Sequence, residues 1–136
     1  MSNRDTALQK IRDLLGDAGV VEEAAQLHAY NTEWRGHYTG HATFVARPKD
    51  AAECGAVVKI CADAGIGVVP LGGNTGLVGG GIAEDEIIIS TERLNSIFNI
   101  DPVNSTMTVG AGCILADIQK AADEADRLFP LSLAAE

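Results

Sequence analysis

"GVVPLGGNTGLVGGGIAEDEIIIS", residues 67–90, sets a glycine-rich stretch between two apolar runs. Between Val68 and Gly81, six of fourteen residues are glycine and none is charged. The flanking runs "GVVPL" and "EIIIS" have the near-continuous apolar character of parallel strands buried on both faces. A glycine-rich loop leaving the end of such a strand offers its backbone rather than its side chains. The preceding residues extend the pattern. "TFVARP" (43–48) reads as a short strand stopped by Pro48. Asp50 is placed to cap the next helix, with Glu53 at the capping-box position. Cys54, Val57, Cys61 and Ala64 give that helix a core face, and Gly65 closes it. Residues 43–91 therefore read strand, helix, strand, loop, strand. A helix in the first crossover implies a parallel pair joined right-handedly.

On the N-terminal side, Leu8, Ile11 and Leu15 share one face of a helix over residues 5–15 that Gly16 can stop. A second helix is expected over 20–29. "YNTEWRGHYTGHAT" (30–43) holds the only tryptophan, both tyrosines and two of the three histidines, and reads as an ordered loop. On the other side, "SIFNIDPVNSTMTVGAG" (96–112) reads as a hairpin around "DPVNS". A last helix over 114–126 places Leu115, Ile118, Ala122 and Ala125 on one face. The fold class is α+β: an α/β-like first subdomain with a short parallel sheet and flanking helices, then the start of an antiparallel one. The expected divisions are residues 1–42, helices and lead-in loop; 43–96, first subdomain; and 97–136, the start of the second.

The 136 residues are 46% hydrophobic, enough for one buried core. Ten Lys and Arg against nineteen Asp and Glu give a net charge of -9. That balance excludes nucleic acid and anionic membrane surfaces as partners, since both require a basic patch. No stretch approaches the roughly 18 apolar residues of a membrane span, and "MSNRDTALQK" is too polar for a signal peptide. Cys54, Cys61 and Cys113 form no disulfide framework, which points to a reducing, cytoplasmic location.

Two phosphate-binding patterns can be tested against the glycine loop. The P-loop requires a lysine, and none occurs here. The dinucleotide fingerprint fails because Asn74 and Glu84 stand where glycines are needed, and because the loop leads to a strand instead of a helix. What remains is a backbone nest, in which N–H groups at Gly72, Gly73 and Gly76 turn inward to hold an anion, with Asn74 and Thr75 as side-chain donors. The absence of a base suits a diphosphate diester better than a triphosphate. His37 and His41 have the spacing of a metal pair, but their glycine-rich surroundings oppose a helix. Trp34 reads as a packing anchor, Arg35 as a structural ion-pair partner, Glu84–Glu86 as a solvated turn and Cys113 as a buried structural thiol.

"PLGGNTGLVGGG" (70–81), "EIIISTERLNSIFNIDPVNSTMTVGAGCILADIQ" (86–119) and "LFPLSLAAE" (128–136) together resemble the N-terminal FAD-binding domain of vanillyl-alcohol-oxidase-type (PCMH-type) flavoproteins. The resemblance is to the D-2-hydroxyacid dehydrogenase branch, which holds D-lactate and D-2-hydroxyglutarate dehydrogenases and the glycolate oxidase flavin subunit. The lead-in "YNTEWRGHYTG" (30–40) is similar to that branch as well. It implies two subdomains with FAD between them. Gly72, Gly73, Asn74, Thr75, Gly76 and Leu77 would contact the pyrophosphate, Pro70 would shape the entry, and Gly79 and Gly80 would continue the cradle. No histidine occurs between residues 42 and 136, so noncovalent FAD is expected. It implies hydride transfer from a D-2-hydroxy acid to FAD, giving a 2-oxo acid. In the family, a second glycine-rich segment and a cap with the catalytic base and any metal ligands follow a segment like "FPLSLAAE". The chain is therefore expected to be a fragment, inactive alone, without catalytic or metal residues, and prone to self-association. The alternative is a noncatalytic module that binds a nucleotide or a partner chain.

Overall fold

A computed structural model describes residues 2–132. Helix α1 (Asn3–Leu15) starts at a full capping box, in which Ser2 accepts from the Asp5 amide and Asp5 accepts from the Ser2 amide. It buries Ala7, Ile11 and Leu15. The helix expected from residue 20 begins later. Val20–Val21 is a strand, β1, and helix α2 runs Ala24–Asn31. Val20 and Val21 are β-branched and pair antiparallel with Ala46 and Val45, so sheet pairing overrides the local helical pattern.

Strand β2 is Val45–Ala46, followed by helix α3 (Ala51–Ala64). The Asp50 carboxylate accepts from the Glu53 amide at 2.8 Å. Glu53 reaches back to the Lys49 amide instead of the Asp50 amide, so the box is offset by one residue. Gly65 ends the helix in the left-handed conformation, φ 68°. Strands β3 (Val68–Leu71) and β4 (Ile87–Ser90) flank the glycine loop.

The sheet order is β1-β2-β4-β3, with β4 parallel to both neighbours. The two strands joined through α3 are thus not a hydrogen-bonded pair, because β4 lies between them. β4 is buried along its length and β3 is not, contrary to the expectation for "GVVPL". β3 is the sheet edge, where Pro70, which has no N–H to donate, is tolerated.

Alternation along the central strands divides the core in two. Phe44, Ala46, Ile87 and Ile89 pack with Ile11 and Leu15 of α1 and Val57 and Cys61 of α3. Val45, Leu71 and Ile88 face the other way, onto Val21, Leu27, Ala42 and Ala83. The second core matters for the site. It joins α2, the lead-in loop (Ala42) and the far end of the glycine loop (Ala83) on one sheet face.

Strands β5 (Ile97–Asp101) and β6 (Thr106–Val109) form the expected antiparallel hairpin. The Asp101 carboxylate accepts from the Val103 and Asn104 amides across its turn. The segment after β6 lies flush on residues 91–96: Gly112 N–H donates to Leu94 O and Gly110 N–H to Ser96 O. Helix α4 (Leu115–Glu124) follows and buries Ala122. The architecture is α+β. All three cysteines are free, and among the described residues no helix is long and apolar enough to cross a membrane.

Candidate functional site

Parallel neighbours need a crossover of about a dozen residues, and a helix usually supplies it. Between β3 and β4 the crossover is residues 72–86, and no helix lies in it. The loop therefore leaves the carboxyl end of β3, the end at which open α/β sheets bind ligands. It lines a cavity of about 300 Å³. Pro70, Gly72, Gly73, Asn74, Thr75, Gly76, Gly79 and Gly80 are all on its wall; Leu77 is not. The wall also takes Glu33, Leu71, Val78, Gly81 and Ile82. The interleaving of Leu77, Val78 and Ile82 with the glycines suggested a packed loop, but Val78 is 84% and Leu77 47% exposed, and only Ile82 is half-buried. Glu33, over forty residues upstream, gave no signal from spacing.

No backbone N–H from Gly72 to Gly81 donates to a backbone carbonyl among the described residues; bonding resumes where Ile82 N–H donates to Gly79 O. Unpaired amides in a row are open to an acceptor from outside the loop. The glycines divide by what a side chain would meet. Gly79 has φ 79° with Tyr38 at 3.3 Å and is required by the fold, while a Cβ on Gly81 would lie 2.8 Å from Leu71 Cδ1 and displace the end of that side chain. A Cβ on Gly76 or Gly80 meets nothing within 4 Å, and one on Gly72 or Gly73 makes only ordinary contacts. The fold leaves these four free of any need for glycine, which suits positions that stay bare for a ligand.

The side chains hold the loop from one side. Asn74 sits at φ 54°, and its amide donates to Thr32 O at 2.9 Å. One of the donors expected for a ligand is thus turned toward the lead-in. Arg35 Nη2 donates to Leu77 O at 2.7 Å, and its Nε donates to Glu33 Oε1 at 3.2 Å. Glu33 also accepts from the Arg35 amide and is 2% exposed. The structural reading of Arg35 holds. Trp34 is 69% exposed and anchors no packing, contrary to expectation. His41 Nδ1 lies 2.9 Å from Glu84 Oε2, tying the lead-in to the turn before β4. Among the described residues no group of histidine, cysteine and carboxylate side chains could hold a metal ion. Cys113 is half-buried, its thiol on Ser96 O.

The wall is an uncharged backbone surface with a single carboxylate, Glu33, already paired with Arg35. Such a surface binds an anion of low charge through N–H groups. The sequence profile of the FAD binding domain matches residues 42–136. The chain belongs to the FAD binding domain family. Its cofactor is FAD, whose pyrophosphate carries about two negative charges and suits a wall of amides without lysine. This family member is 36% identical over 126 residues to a probable mitochondrial D-2-hydroxyglutarate dehydrogenase of Oryza sativa subsp. indica, covering 92% of this chain and 22% of the relative. It is 35% identical over 126 residues to the mitochondrial D-2-hydroxyglutarate dehydrogenase of Arabidopsis thaliana, with the same coverage. The chain spans about a fifth of the length of these curated relatives. It superposes on p-cresol methylhydroxylase with substrate bound at a TM-score of 0.74 and 23% identity, over 91% of this chain and 25% of that one, which shows the shared fold. The cytoplasmic location is corrected by the mitochondrial names of the relatives. Three free thiols do not distinguish one compartment from another.

Proposed function

We propose that the chain is the FAD-binding portion of a flavin-dependent oxidoreductase that converts a D-2-hydroxy acid to a 2-oxo acid. The observation that carries it is the row of unpaired amides from Gly72 to Gly81 beside glycines the fold itself does not require. In this reading Gly72, Gly73, Asn74, Thr75, Gly76 and Leu77 meet the pyrophosphate, Gly79 and Gly80 continue the cradle, and Pro70 shapes the entry. FAD supplies the hydride acceptor when bound. The amides hold its diphosphate, and the buried Leu71 and Ala83 keep the loop on the sheet. Glu33 is tied to Arg35, so the base that takes the hydroxyl proton is assigned outside this loop. FAD is held noncovalently, in line with the lack of histidine after residue 41. The substrate class includes D-2-hydroxyglutarate and D-lactate; glycolate is their achiral 2-hydroxy analogue. Residues 43–96 form the first of the two subdomains that hold the cofactor, and 97–136 the start of the second. Exposed Phe98, Val103, Ile114 and Leu128 support self-association of the isolated chain.

Titration of the chain with FAD, followed by flavin fluorescence, tests the reading. Gly76→Asp places a carboxylate in open space on the cavity wall, facing an anion. It is expected to weaken FAD by at least about 100-fold with the melting temperature unchanged. If wild type and variant bind alike, or neither binds, the reading is wrong.

A further inference from the structure

Arg35 stands between two partners of different kinds. Its Nε is on the Glu33 carboxylate, and Glu33 is 2% exposed and fixed again by the Arg35 amide. Its Nη2 is on the Leu77 carbonyl, in the middle of the glycine loop. A peptide unit is planar and trans, so its C=O and N–H point in opposite directions. Drawing Leu77 O to Arg35 therefore turns the Val78 N–H away from the lead-in. Asn74 provides the second tether, through Thr32 O, three residues earlier in the loop. Between these two points the loop has no backbone hydrogen bond from its own amides. Six glycines in fourteen residues give it high conformational entropy when free.

We propose that Arg35, braced by Glu33, is a positioning residue for FAD: it fixes the Leu77–Val78 peptide and so presets the amide row before the cofactor arrives. This rests on the proposed cradle. The guanidinium suits the task because its fork reaches a carboxylate and a carbonyl together. A lysine ammonium at the end of a flexible stem reproduces one contact at a time. Glu33 acts at one remove. The neutral amide introduced by Glu33→Gln would still accept a hydrogen bond but hold the guanidinium more weakly.

The test compares wild type, Arg35→Ala, Arg35→Lys, Glu33→Gln and Gly76→Asp by FAD titration, thermal melting and amide ¹⁵N relaxation without cofactor. Arg35→Ala is expected to weaken FAD about tenfold or more, the scale of one hydrogen bond to a charged group. Its melting temperature falls, because Glu33 is left buried without its guanidinium, and order parameters of residues 75–79 fall toward the flexible range. Arg35→Lys and Glu33→Gln recover part of the affinity. A purely structural role would lower the melting temperature as well, but leave FAD affinity unchanged and the loop as ordered as the rest. Wild type that binds FAD, Gly76→Asp that does not, and Arg35→Ala that binds like wild type with an ordered loop would overturn this inference alone. Wild type that binds no FAD overturns the proposed function and this inference with it.

Discussion

A methyl group on Gly112 would sit 1.8 Å from the Thr91 carbonyl oxygen, whereas one on Gly80 meets nothing within 4 Å. The same substitution therefore has opposite readouts at the two positions. Gly112→Ala must push two backbone segments apart and is expected to cost about 1–3 kcal/mol, the range for overpacking. Thermal melts should show a drop of several degrees. Gly80→Ala is expected to leave the melt unchanged and to weaken FAD, because its methyl enters the cradle. A Gly112→Ala protein as stable as wild type would remove the structural half of this distinction. The distinction was not legible in the sequence. "VGAG" and "VGGG" look alike as strings, and only the neighbouring backbone says which glycine is packed and which is bare. Asn74 was legible as a side-chain donor in the loop, but the target of its amide, Thr32 O, lies more than forty residues earlier.

Elements differ in the same way. Ile88 is fully buried at the centre of β4, while Val68 lies 36% exposed on edge strand β3. Ile88→Ala is expected to destabilise by about 2–5 kcal/mol and Val68→Ala by less than about 1 kcal/mol. Urea midpoints of the two variants measure this; equal midpoints would contradict the assigned edge. The strands from β2 onward were legible, since apolar runs and turn residues bound them. So were α1, α3 and the hairpin, with Gly16, Asp50, Gly65 and the turn where the pattern put them, although α1 starts earlier, at a Ser2 cap, and the α3 box is offset by one residue. The order β1-β2-β4-β3 was not, because apolar runs state burial and not neighbours. Pro70 was the one sign that "GVVPL" is an edge. The start of α2 was missed because Val20 and Val21 answer to a partner strand more than twenty residues away.

At the scale of the whole molecule, five carboxylates among the described residues are held below their usual range. The Ser2, Lys49, Glu84 and Asn104 amides do this for Asp5, Glu53, Glu86 and Asp101. The Arg12 guanidinium does it for Glu22. Each folded-state value lies below the unfolded one, so the unfolded chain binds more protons as pH falls. The stability they give is full above the unfolded carboxylate range, about pH 4, and is lost as pH drops through the lower folded values. Melting temperatures should be level from about pH 5 to 7 and fall below about pH 4; a flat profile down to pH 2 would refute it. The position of β4 has a consequence for how the chain acquires this structure. β2 and β3 have no hydrogen bonds with each other; β2 has β1 as an earlier partner, but its link to β3 waits for a strand that comes after the glycine loop, with Val45 meeting Ile88 across about forty residues. Before β4 is in place the sheet is therefore only the short β1–β2 pair. It closes in one late step, when β4 threads between its neighbours, and during synthesis that step cannot begin until Ser90 has cleared the ribosome.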